Sequence, residues 1–215
     1  MLAPAWVSSI VVAAVVSGSI AIPRMPDSAL EMERRAKFVH GPRGSESTPT
    51  PGEEMSAVIA LVRTGPGVRM LEPVRRHATL DQIDKTFVPS VLPVVVGTTV
   101  DFPNHDEIYH NVFSYSRAKR FDLGRYASEE TRSVRFDKPG VVRVFCEIHS
   151  FMRAAIIVLP TPHYTVADEA GTFELRDVPA GQYEVLVWHD GLSDLESVRS
   201  LSVAATDSVR IRLEP

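Results

Sequence analysis

From Met55 onward the chain is a succession of short apolar, β-branched runs divided by turn residues, and this spacing restricts the fold more than any other feature. The runs are 56–63 (SAVIALVR), 87–96 (FVPSVLPVVV), 98–102 (TTVDF), 111–115 (NVFSY), 133–136 (SVRF), 141–146 (VVRVFC) and 154–159 (AAIIVL). Between them fall Gly65, Pro66 and Gly67, then Gly97, Pro103 with Asn104, and Pro139 with Gly140. Strands this closely spaced leave no room for crossover helices, so the pattern predicts an all-β chain built as an antiparallel sandwich or barrel. Residues 70–86 lack the pattern and read as a short helix or an irregular loop.

Pro160 and Pro162 close this set, and a second follows at 171–178, 182–189, 198–203 and 208–213, with the turn Pro179–Ala180–Gly181 inside it. A unit of about 55 residues buries too little apolar surface to stand comfortably alone. It is expected to pack on the first unit and to borrow the strand around Val58–Val62.

The N-terminal end reads differently. Residues 1–23 carry no charged side chain, and Ala5–Ile22 are almost wholly apolar or small. One reading is an export signal cut after Ala21, with Ser19 and Ala21 as the small residues at the cleavage site, although a basic leading region is missing. The other is a retained membrane anchor, since about 18 apolar residues just cross a bilayer. Both place the body of the protein outside the cytoplasm, in the periplasm or its equivalent. Residues 24–54 are rich in charge, proline and small polar groups and read as a tether, with Asp27 or Ser28 able to cap a short helix through Lys37. The expected division is therefore 1–22 signal or anchor, 23–54 linker, 55–160 first sandwich and 161–215 second sandwich.

Composition removes several classes of function. The 215 residues include one cysteine, so an intramolecular disulfide and an all-cysteine zinc site are both excluded. A net charge of −4, with no basic stripe interleaved with aromatics, gives no footprint for nucleic acid.

That lone cysteine opens the segment Cys146–Glu147–Ile148–His149–Ser150–Phe151–Met152, a C-x2-H-x2-M spacing between two strand-like runs. A thiolate, an imidazole and a thioether on one tight loop can converge on a point. His110, at the start of another run, is the natural fourth ligand. Two imidazoles and a thiolate with a weak axial methionine describe a blue-copper electron-transfer site. Three other readings stand beside it: plain core packing of Cys146 and Met152, a cysteine nucleophile with His149 or His110 as base, and zinc on the same ligands. His105, Asp106 and Glu107 form a polar turn that could hold a second metal. Trp188 and His189 read as packing groups on an edge strand.

Residues 84–159 resemble the cupredoxins, the plastocyanin and amicyanin superfamily, and the ligand loop has the short amicyanin-type spacing. The phrases KTFVPSVLPVVVGTTVDFPNHDEIYHNVFSYS, KRFDLGRY and FDKPGVVRVFCEIHSFM are closer still to the periplasmic cupredoxin-like proteins often labelled methylamine utilisation proteins. The resemblance implies a Greek-key β-sandwich holding one type 1 copper, with His110, Cys146 and His149 equatorial and Met152 axial. It implies an electron carrier rather than an enzyme, meeting a periplasmic dehydrogenase or cytochrome c transiently through the loop around Phe151, with His149 as the electron port. It also gives the backbone of Asn111 the role of donating to the ligand sulfur. Amicyanin-type loops carry prolines where this loop has none, which leaves the amide of Ser150 free to donate. Phe145, Ile148 and Phe151 are expected to shield the thiol. Residues 171–189 resemble the carboxypeptidase regulatory-like, prealbumin-type sandwich, an accessory module that brings no catalytic residues. Copper handling without redox cycling, and a binding module whose site is empty, remain as rival functions.

Overall fold

A computed structural model describes residues 14–21, 56–66, 76–204 and 208–213. Every regular element among them is a strand. In chain order these are β1 (Ala14–Ile20), β2 (Ala57–Thr64), β3 (His77–Thr79), β4 (Asp81–Ile83), β5 (Thr86–Val88), β6 (Val91–Val95), β7 (Thr99–Pro103), β8 (His110–Tyr115) and β9 (Arg120–Tyr126). They continue as β10 (Thr131–Arg135), β11 (Gly140–Phe145), β12 (Arg153–Leu159), β13 (Tyr164–Val166), β14 (Thr172–Val178), β15 (Gly181–His189), β16 (Glu196–Val203) and β17 (Ser208–Leu213). The expected all-β architecture is the one found: one β-sandwich with a second, smaller sandwich beside it.

The first sandwich sets a five-stranded sheet, ordered β6-β12-β11-β8-β9, against a three-stranded sheet, β10-β7-β3. Because strand side chains alternate between faces, Val142, Val144, Ala154, Ile156 and Val158 point into the core between these sheets. Ala155, Ile157 and Leu159 point the other way and pack on Val58, Ala60 and Trp188. β12 is thus buried on both faces, and so is β2, whose Ala57, Ile59 and Leu61 enter a third core with Tyr183, Val185 and Val187. Double burial explains why AVIAL and AAIIVL are unbroken apolar runs rather than alternating ones.

The second sandwich consists of the sheets β13-β2-β15-β16 and β14-β1-β17. β2 runs antiparallel to β15 from Ala57↔His189 to Thr64↔Gln182 and also pairs with β13, so the strand around Val58–Val62 does join this unit. Thr161 Oγ1 donates to Leu61 O at 2.8 Å and Leu61 N to His163 O at 2.8 Å, which brings the exit from the first sandwich back beside its entrance. The boundary drawn at residue 55 therefore assigns β2 to a unit it does not pair with. The first sandwich is inserted between β2 and β13 of the second.

The N-terminal segment has a place in the second sandwich. Ala14–Ile20, placed above in a removable signal or an anchor, is the middle strand of β14-β1-β17, with Ala14, Val16 and Ile20 at 3% exposure or less. No helix among the described residues is long and apolar enough to cross a membrane. The tether and its short helix lie outside the described residues. Within 70–86, the described part holds β3 and β4 rather than a helix, and β4 pairs with β5 as a hairpin turning at Asp84 and Lys85, both at positive φ (52° and 57°).

Candidate metal centre

Three strand ends bring the predicted ligands together. β8 begins at His110, opposite Tyr126 of β9; β11 ends at Phe145; β12 begins at Arg153. Cys146 continues the inward-facing series Val142, Val144, so its thiol enters the core and is 2% exposed. The loop closes back on itself through Met152 N donating to His149 O (2.9 Å) and Cys146 N to Met152 O (3.4 Å). Met152 is buried in the same cluster as Cys146.

Cys146 Sγ stands 3.8 Å from His110 Nδ1 and 3.9 Å from His149 Nδ1, and the two nitrogens are 3.0 Å apart. A triangle with those sides has a centre about 2.1 Å from each corner, inside the roughly 2.0–2.3 Å range of metal bonds to histidine nitrogen and cysteine sulfur. These three atoms form the one group of histidine, cysteine or carboxylate donors among the described residues gathered tightly enough to hold a metal ion. Two imidazoles and a soft sulfur in a plane suit copper.

Asp106 decides which nitrogen of His110 faces the centre. Its Oδ2 lies 2.7 Å from His110 Nε2, and an ionised carboxylate only accepts, so Nε2 carries the proton and the Nδ1 lone pair is aimed at the other donors. Burial works to raise the Asp106 carboxyl. The amides of Lys85 (2.8 Å) and Asp84 (2.6 Å), together with His110, outweigh burial and hold it below the usual carboxylate range. Burial lowers His149, His110 and Lys85 push it further, and Asp106 offsets part of this, so the imidazole is kept in its neutral, ligating form.

Several expectations change in detail. Asn111 acts through its side chain: Oδ1 accepts the Glu147 amide at 2.6 Å, tying β8 to the ligand loop. Phe145 cannot shield the thiol, because it faces away from Cys146 and packs on Phe113 with ring centres 5.9 Å apart. Ile148 is exposed; the thiol is covered from the core side, where Tyr126 and Met152 share its cluster. Ser150 and Phe151 lie exposed at the loop tip, the Phe151 ring 5.9 Å from that of His149. The polar turn 105–107 does not converge on a second metal: His105 pairs with Asp81 at 2.8 Å while Asp106 serves His110. Trp188 is fully buried on β15, an interior strand rather than an edge, with Arg143 stacked over it at 5.7 Å. Sequence reasoning missed Asp106 in this role. Its signal was the four-residue spacing to His110, readable only once the turn between them is known.

No protein-family model matches the chain, and no curated protein matches it. Among solved structures, a reduced tryptophan-to-tyrosine mutant of amicyanin is similar at 25% identity, over 38% of this chain and 81% of that one, with a TM-score of 0.36. A purple cupredoxin from Nitrosopumilus maritimus is 22% identical over 38% of this chain and 99% of its own, with a TM-score of 0.35. The Cu-containing nitrite reductase of Thermus scotoductus SA-01 is 27% identical over 46% of this chain, with a TM-score of 0.38, and the match spans only 26% of that enzyme. Likeness at these scores carries no weight for function, and what the site can do rests on its own geometry.

Proposed function

We propose that this protein is an exported type 1 copper protein that carries one electron at a time between periplasmic redox partners, a dehydrogenase or a cytochrome c. The observation that carries the reading is the triangle of His110 Nδ1, Cys146 Sγ and His149 Nδ1, whose centre lies at bonding distance from all three. Copper bound there would supply reversible exchange between Cu(I) and Cu(II). The chain's part is to hold the donors in place beforehand, through Asp106 on one imidazole and Asn111 on the ligand loop, so that neither oxidation state requires much rearrangement. Met152, buried in the same cluster as Cys146, would supply the fourth, thioether donor in this reading. His149, partly exposed beside Phe151 and Ile148, is the electron port, and that small apolar rim suits the weak encounters of redox proteins.

Location outside the cytoplasm is part of this proposal, and the single thiol fits an oxidising compartment when a metal occupies it. A second reading, delivery or storage of copper, is favoured by the same exposure of His149, which a receiving protein could reach.

The test is Cu(II) loading of the full chain, with optical and paramagnetic spectra of the parent, Cys146→Ala and Met152→Leu, and a redox titration. An intense copper–thiolate absorption lost in Cys146→Ala, with reversible reduction, is the expected result. A colourless loaded protein whose metal content is unchanged by Cys146→Ala overturns the copper reading. Colour without reversible reduction favours handling.

A further inference from the structure

We propose that Ala14–Ile20 is a permanent strand of the functional protein, so that any processing of the apolar N-terminal segment stops short of Ala14. β1 is paired on both sides, antiparallel to β14 from Ala14↔Val178 to Ser19↔Thr172 and parallel to β17 from Val15↔Ser208 to Ile20↔Leu213. Among the described residues β17 has no other sheet neighbour. A cut after Ala21 would therefore take from β17 and β14 their shared ladder partner and uncover the core-facing side chains Phe173, Leu175, Val178 and Ile211.

The fit is specific to this sequence and is not that of a generic leader. Ala14, Val16 and Ile20 face the core while Ser17 and Ser19 face outward, the period of two expected of a half-buried strand. A Cβ at Gly18 would collide with the Ile211 carbonyl oxygen and the Phe173 ring, so only glycine lets β1 settle between its neighbours. Gly171 shows the reciprocal constraint: it sits at φ 75°, its own Cβ would strike the Ile20 carbonyl, and its oxygen accepts the Ile20 amide at 2.9 Å. An apolar stretch selected only for passage through a translocation channel needs neither the alternation nor the glycine.

The experiment is intact-mass and N-terminal sequencing of the full chain purified from a secreting bacterial host, with thermal unfolding of the parent, of a variant lacking residues 2–21, and of Gly18→Val. Expected are a mature N-terminus at or before Ala14, a lowered melting temperature in both variants, and recovery of the deletion variant when a synthetic peptide of residues 13–22 is added. A mature N-terminus at Ile22 in protein that unfolds at the same temperature as the unprocessed chain overturns the proposal, whether or not the deletion variant can be made. Copper loading is read separately. Protein that retains β1 but stays colourless with Cu(II) would sink the copper reading alone.

Discussion

The carboxylate of Asp106 accepts the Nε2 proton of His110 at 2.7 Å while also receiving two main-chain amides from the β4–β5 turn, so the orientation of a candidate metal ligand is anchored in a surface hairpin. Replacing Asp106 by Asn keeps an acceptor but removes the charge that makes the imidazole a stronger donor. Cu(II) affinity is expected to fall roughly 10- to 100-fold, and the reduction potential to rise, because the charge favours Cu(II) over Cu(I). Competition titration and voltammetry measure both. Unchanged values would reduce Asp106 to a purely structural role.

Asn111 supplies the tie between the strand carrying one imidazole and the loop carrying the thiol and the other. Asn111→Ala is expected to cost about 1 kcal/mol of stability and to broaden the paramagnetic spectrum of the loaded protein as the loop samples more than one geometry. Asn111→Asp, which retains an acceptor for the Glu147 amide, should restore a single spectrum. Equal broadening in both variants would show that the amide contact is not the cause.

Acid should weaken the second sandwich. Burial lowers both His163 and His189; Arg63 pushes His163 further down, whereas Glu196 and Asp190 partly offset the effect at His189. A histidine whose folded pKa lies below its unfolded value near 6.5 binds fewer protons when folded, so its contribution to stability is full above about pH 6.5 and is lost as the pH falls from there through the lowered folded value. His189 Nδ1 accepts the Gly191 amide, a bond that protonation abolishes. The melting temperature of metal-free protein should drop from pH 7.5 to pH 5.5, and less steeply in His189→Gln. A flat profile for the parent would contradict this.

Arg143 joins the two sandwiches: Nη1 meets Asp190 Oδ1 at 2.8 Å, Nη2 donates to the Asp190 and Leu192 carbonyls, and the guanidinium lies over Trp188. Because the pair is partly exposed, Arg143→Met is expected to cost about 1–2 kcal/mol, or roughly 2–8 °C in melting temperature. The copper spectrum should not change, since Arg143 faces away from Cys146. A shifted spectrum would mean that the contact reaches the metal.

The donor group His110, Cys146 and His149 was legible because its signals are simple: one cysteine, a histidine three residues on, and a histidine opening another strand. What was not legible depends on partners distant in sequence. β9 escaped notice because RFDLGRY carries charges and a glycine on its outward positions, and its inward residues are visible only once β8 lies beside it. Asp106 looked like turn polarity until the β4–β5 hairpin folded over it. The strand Ala14–Ile20 was not legible because continuous hydropathy over residues 5–22 hides a period of two, and the residues that demand that period, Phe173 and Ile211, stand some 150–200 places away along the chain. Insertion of one sandwich into the other has no signature in composition at all.

The parallel pairing of β1 with β17 also has a mechanical meaning. The two strands lie side by side over six register pairs and point the same way. A force drawing Ala14 and Leu213 apart would therefore act along the ladder, loading its hydrogen bonds together instead of peeling them one after another. The outer sandwich would carry such a load before any tension reached β2 and β13, the two strands through which the inserted sandwich is hung. The donor group His110, Cys146 and His149 would thus be suspended inside a tensile frame, isolated from a pull between Ala14 and Leu213.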